Sequence, residues 1–181
     1  ENADTVIGLR VSDESQELSE MVKVNALDGH TMKTSPVTVI RARTILPVEN
    51  PSIENTEEID TSLLYMAICG ENANNGTVKL CLLDTDRMEI QKESTEIVHE
   101  KSVLVTKDNA YYCVIQDNNK WVLGKFDKSL NLLLKSTASL IPSTPVIITE
   151  KGIVVTAHYG STLLLKLSDL SEISNDDGTV T

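Results

Sequence analysis

The chain has 181 residues, 40% of them hydrophobic, which suits one ordinary domain that buries about 70% of the surface its unfolded form exposes and needs no disulfide to fold. Its 27 acidic residues against 16 basic ones leave a net charge of -11. That charge repels phosphate backbones and provides no counterion release, so nucleic acid is not expected as a partner and anionic membrane surfaces are poor ones.

No apolar run approaches the roughly 18 to 20 residues that cross a bilayer, so no direct membrane insertion is expected. The opening ENADTVIGLR has neither the charged start nor the apolar middle of a signal peptide, and it has no initiator Met. We read the chain as a processed form or an excised piece of something longer.

In chain order, TVIGLRV (5–11) and VKVNALD (22–28) carry strand patterns. Between them SDESQELSEM (12–21), like NTEEIDTS (55–62) later, has too few apolar residues to anchor a helix and is expected as loop or a single turn. TILPV (44–48) is expected to be an innermost strand, followed by the long acidic ENPSIENTEEIDTS (49–62). MAICGE (66–71) and VKLCLLD (78–84) follow as strands, with NNGT (74–77) as a tight turn that also contains the glycosylation triplet Asn75, Gly76, Thr77. Then come SVLVT (102–106), AYYCVIQ (110–116), KWVLGKFD (120–127) and NLLLKSTASL (131–140), with turns at 107–109 and 117–119. TPVIIT (144–149), IVVTAH (153–158) and TLLLKLS (162–168) repeat that order, with a turn at 150–152. Alternation puts Leu104, Tyr112, Val114, Val146, Ile148, Val154, Leu165 and Leu167 in the core.

Asp84 and Asp127 lie 43 residues apart at the ends of two third strands, Asp169 follows 42 residues later, and Asp28 closes an earlier copy. Such a period with strand patterning indicates stacked four-stranded units of the propeller type. The fold class is therefore all-β: a single propeller-like domain of about 43-residue repeats (1–43, 44–100, 101–142, 143–175), open or four-bladed with incomplete end blades, and a flexible acidic tail at 175–181. Each repeated Asp is expected to bond the backbone of its following turn. A metal or catalytic role for four repeated residues is the weaker reading.

The unit TPVIITEKGIVVTAHYGSTLLLKLSD resembles the repeat of quinoprotein-type propellers, over some two thirds of the chain. That resemblance is to the blade and not to its chemistry, since a single Trp, Trp121, stands where dehydrogenase blades repeatedly dock on tryptophans. AYYCVIQDNNKWVLGKFDKSLNLLLKSTASL, with LYMAICGENANNGTVKLCLLD before it, resembles the carboxy-terminal domain of the large surface or periplasmic antigen family of Lyme-type spirochaetes. The resemblance implies an extracytoplasmic protein with no assigned enzymatic activity, and transfers no functional residue.

His30, His99 and His158 are too far apart in sequence for a local metal motif and are expected as surface or satisfied histidines unless the fold assembles them. DTDRME (84–89) has alternating carboxylates but lacks the Gly and the distal Glu of a calcium loop, so a hairpin turn is expected. Cys69, Cys81 and Cys113 sit in apolar strands as buried thiols, and a bridge between Cys69 and Cys81 would be diagonal and strained. Tyr111, Tyr112, Trp121 and Tyr159 are expected to pack between blades.

No phosphate loop, nucleophile elbow or paired-Cys motif appears, so no catalytic residue, metal site or cofactor is assigned. The expectation is a non-enzymatic binding or structural domain of a bacterial envelope or surface antigen, with an unknown protein partner. The alternative is a cofactor- or metal-using propeller enzyme with His158 and a strand-end Asp in its pocket. The candidate contact residues are Glu54, Glu57, Glu58 and Asp60 in the acidic insertion, whose composition cannot bury itself.

Overall fold

The computed structural model describes residues 4–37, 40–49 and 64–174. Among these residues there is no α-helix, and the regular structure is antiparallel β-sheet, none of it closed into a barrel or ring. The expectation of an almost wholly β chain holds.

The first sheet contains β1 (Thr5–Asp13), β2 (Leu18–Asn25), β3 (Thr31–Thr34), β4 (Ile40–Val48), β5 (Leu64–Cys69), β6 (Lys79–Asp84) and β7 (Glu89–Glu93). β2 pairs with β3 along its second half and meets β4 only at Ser19 opposite Ile40. The first two repeats thus share one seven-stranded sheet where separate sheets were expected. The second sheet is the meander β8 (Val105–Lys107), β9 (Ala110–Asp117), β10 (Lys120–Phe126) and β11 (Leu132–Lys135). The third holds β12 (Ile147–Ile148), β13 (Ile153–Thr156) and β14 (Thr162–Leu165), extended by a single bridge between Leu165 and Glu172.

The hairpins follow from turn chemistry. Asp108 and Asn109 (φ 51° and 58°) join β8 to β9, and Asn118 and Asn119 (φ 47° and 62°) join β9 to β10. Two consecutive left-handed residues make the turn whose twist matches that of the flanking strands, and Asp and Asn tolerate that conformation. At 150–152 the Thr149 N–H donates to the Gly152 carbonyl at 2.9 Å.

The sheets stack face to face. Met66, Ile68, Leu80 and Leu82 of the first sheet meet Tyr111, Cys113, Ile115 and Phe126 of the second. On the opposite side of the second sheet, Ala110, Tyr112 and Leu123 meet Ile153, Val155 and Leu165 of the third. β1 and β2 fold over the far face of β4–β6, so Met21, Ile7 and Leu9 pack with Ile40, Ala67, Cys81 and Leu83. Residues 110–115 of β9 are all buried because both faces of the strand are covered.

Leu104, Tyr112, Val114, Val146 and Leu165 are buried as expected, while Ile148 and Leu167 are half-buried. Val154 is a correction. The buried face of β13 is Ile153 and Val155, because Ile153 lies opposite Leu165 and turns with it toward the second sheet. A one-residue error in register moves every side chain to the other face.

The repeated aspartates cap turns. Asp84 Oδ1 accepts from the Asp86 and Arg87 amides, Asp127 Oδ1 from Ser129 and Asn131, Asp169 Oδ1 from Ser171, and Asp28 Oδ1 from His30. The strand-end alignment needs correction at both ends of the chain. β2 stops at Asn25, whose side chain accepts from the Leu27 amide and whose carbonyl accepts from Gly29, as the Asp84 carbonyl accepts from Met88. Asn25 is therefore the counterpart of Asp84. β14 stops at Leu165, so Asp169 lies inside the turn and not at the strand end.

Candidate interaction site

β4 and β5 frame the insertion. Val48 pairs directly with Leu64, so the chain between them closes a hairpin at the place where β8 and β9 need only Asp108 and Asn109, with Lys107 opposite Ala110. The four candidate carboxylates, Glu54, Glu57, Glu58 and Asp60, belong to residues 50–63 and lie outside the described residues. Only their attachment point is described: Val48 buried in the core between the first and second sheets, Glu49 exposed.

Beside that attachment lies a cleft of about 560 Å³ between the first and second sheets, lined by Pro47, Val48, Glu49, Asn109, Tyr111, Asp127 and Lys128. Each wall has a structural reason. Asn109 is there because it forms the β8–β9 turn, and Asp127 because it caps the turn after β10. Burial pushes the Asp127 carboxyl up, but bonds from the Asn131 side chain and amide and the Ser129 amide outweigh this and hold it below the ordinary value. Tyr111 is pushed up by burial and by the Glu49 carboxylate. The Asp127 carboxylate is thus occupied as a hydrogen-bond acceptor, and Tyr111 stays protonated.

The other candidates are dispersed. His30 Nδ1 lies 2.6 Å from Asp28 Oδ1 at an exposed turn, and His158 stacks edge-on against the exposed Tyr159. His99 meets the Trp121 ring edge-on at a centroid distance of 4.5 Å and accepts the Lys101 amide on Nδ1. Among the described residues no three His, Cys, Asp or Glu side chains are placed to hold a metal ion. The segment at 84–89 is the hairpin turn expected of it, with Met88 at φ 63°, and Asn72 accepts from Asn74 to start a short turn at Ala73–Asn75 that ends on Gly76.

Tyr111 and Tyr112 face opposite cores and Trp121 packs against the first of them, as expected, but Tyr159 is a correction: it follows the end of β13 in an exposed turn and packs in none of the cores. The three cysteines are free thiols, with Cys69 opposite Lys79 and Cys81 opposite Ala67, the diagonal placement expected. A hydrogen bond with Cys81, and then burial, push the Cys69 thiol up; burial does the same to Cys113.

Sequence reading missed a set of buried hydroxyls. Ser94 Oγ accepts the Leu80 amide at 3.0 Å and Ser136 Oγ accepts the Leu123 amide at 3.0 Å, each at the end of an outer strand. Ser102 Oγ likewise accepts from Val114 and Thr144 Oγ1 from Thr156, both at 2.7 Å. Both pairs are 42 residues apart, and that spacing was the signal available in the sequence.

The model of the Borrelia P83/100 protein family matches residues 1–146. The chain belongs to that family. Among solved structures, the crystal structure of the computationally designed Ika4 protein is similar at 12% identity and a TM-score of 0.45, covering 92% of this chain and 94% of that one. At that score the likeness carries no argument about this fold. No curated protein matches this P83/100 family member. The described residues also contain no helix long and apolar enough to cross a membrane.

Proposed function

We propose that this chain is a non-enzymatic, protein-binding domain of an extracytoplasmic spirochaete antigen, built as an open, propeller-like stack of four repeats, whose partner contacts the acidic insertion between β4 and β5. The observation that carries the reading is the hairpin frame. Val48 and Leu64 are paired, so the β4–β5 ladder runs up to the foot of the insertion, whereas β8 and β9 are joined by a two-residue turn. The insertion carries Glu54, Glu57, Glu58 and Asp60 with few apolar residues, and its foot adjoins a cleft of about 560 Å³. A partner with a basic surface fits these carboxylates, and membership of the P83/100 family supports an antigen role.

The test replaces residues 49–63 by Asp-Asn, copying the β8–β9 turn, and separately converts Glu54, Glu57, Glu58 and Asp60 to their amides. Capture from a spirochaete envelope extract is then compared at low and high salt. The reading requires both variants to melt like the parent and to lose the same salt-sensitive partner. An unchanged partner profile in the turn replacement overturns it.

A further inference from the structure

Residues 94–104 join the second repeat to the third and are pinned on both sides. The Val98 amide donates to the Val78 carbonyl of the first sheet at 3.0 Å, while the His99 amide donates to Val114 of β9 and the Gln116 amide to Ile97, both at 2.9 Å. The next connector, residues 136–146, repeats this pattern: the Leu140 amide donates to Trp121, Ile141 to Thr156, and His158 to Ser139. In both, the chain turns back four residues before the next repeat, with the Ser102 amide on the His99 carbonyl and the Thr144 amide on Ile141. His99 and Ile141 occupy the same position, so the clamp does not require an imidazole.

What the imidazole adds is a titratable acceptor. Nδ1 receives the Lys101 amide at 3.0 Å and the ring lies edge-on to Trp121 of β10. The His99 backbone amide is held by the Val114 carbonyl on β9, and the charged groups acting on the ring are Glu100 and Lys101 on the connector and Arg41 of β4. Arg41 is a hub. Its Nε donates to the Gly70 carbonyl at 2.9 Å, Nη1 to the Gln16 carbonyl at 3.2 Å and Nη2 to the Glu71 carbonyl, and Nη2 lies 3.7 Å from the Glu100 carboxylate. Three repeats therefore converge within two residues of His99. Ordinary burial resists protonation of the ring, Lys101 and Arg41 add to that resistance, and Glu100 opposes it.

We propose that His99 is a pH-sensitive latch: neutral, it holds the connector between the second and third repeats closed, and protonated, it releases it. A proton on Nδ1 converts the acceptor into a donor, leaves the Lys101 amide without that partner, and sets a cation beside Lys101 and Arg41. Release of the connector draws Glu100 away from Arg41. The stimulus is mild acidification of the protein's surroundings.

The sole tryptophan reports on the joint, since it is the ring that His99 touches. Between pH 7.5 and 5 the parent chain is expected to change its Trp121 emission. Opening of the Lys101, His99 and Gln116 amides, measured by hydrogen exchange corrected for intrinsic pH dependence, is expected to increase by up to about tenfold for each pH unit between the ordinary and the folded histidine values. His99→Ile, which copies Ile141, and His99→Gln are expected to abolish both responses, whereas the double variant His30→Gln/His158→Gln keeps them. Proton NMR titration of the parent's ring closes the remaining route. If His99 titrates in this range while connector opening stays constant, or if both His99 variants fold and respond like the parent, the latch is refuted.

Discussion

Ser94, Ser102, Ser136 and Thr144 are the small polar residues on which the stacking depends. Ser94 and Ser136 follow β7 and β11, Ser102 and Thr144 precede β8 and β12, and each hydroxyl accepts the amide of a neighbouring strand while donating to a carbonyl on its own segment. Ser136→Ala leaves the Leu123 amide buried without an acceptor and is expected to destabilise the chain by about 1–3 kcal/mol, read as a lower urea midpoint. Leu165 is fully buried between the second and third sheets, and Leu165→Ala is expected to cost about 2–5 kcal/mol in the same assay. A near-neutral result at Leu165 would contradict the face assigned to β14.

At the level of elements, two glycines separate strand from turn. Gly70 ends β5 at φ 126°, and a Cβ there would stand 2.1 Å from the Thr77 carbonyl oxygen, so no side chain fits where the chain crosses itself before β6. Gly70→Ala is expected to destabilise by more than the roughly 1–3 kcal/mol of the backbone strain alone, because the clash is with backbone and cannot relax by a rotamer change. Gly8 in β1 has nothing within 4 Å of its Cβ position, and Gly8→Ala is expected to raise the melting temperature slightly, worth about 0.4–1 kcal/mol. Thermal melts of the two variants side by side check the contrast. The hairpin turns are elements the sequence specifies locally, which is why their positions at 107–109, 117–119 and 150–152 were legible: the Asp-Asn and Asn-Asn pairs and Gly152 supply their left-handed or extended-positive residues without help from the rest of the fold.

For the whole molecule, acid acts in two windows. Hydrogen bonds hold Asp13, Asp28 and Asp169 below the ordinary carboxyl value: the Ser15 hydroxyl and Gln16 amide on Asp13, the amide and ring of His30 on Asp28, the hydroxyl and amide of Ser171 on Asp169. Asp127 is depressed as well, despite its burial. A carboxyl with a depressed folded value contributes stability that is complete above about pH 4 and is lost as the pH falls through that lower value. His99 is also depressed, chiefly by burial, so its neutral form contributes stability that is complete above about pH 6.5 and declines below it. Urea midpoints from pH 7.5 to 2.5 are expected to fall in two steps, with only the upper one missing in His99→Gln. Retention of the upper step in that variant would assign it to another group.

The local sequence determined the all-β class, the turns at 107–109, 117–119 and 150–152 and the turn-capping aspartates, because each depends on residues close together in the chain: alternation along a strand, left-handed residues in a turn, a carboxylate two residues from an amide. It also located the insertion, since the spacing grows between strands that remain paired at Val48 and Leu64. What only the tertiary structure decided is how the repeats meet. Ser19 joins Ile40 and fuses the first two repeats, both faces of β9 are covered, Val154 yields the core to Val155, and Arg41 gathers carbonyls from Gln16, Gly70 and Glu71. These contacts link residues far apart in sequence, and alternation reports that a strand has two faces without reporting which layer covers each. Packing between sheets makes that choice.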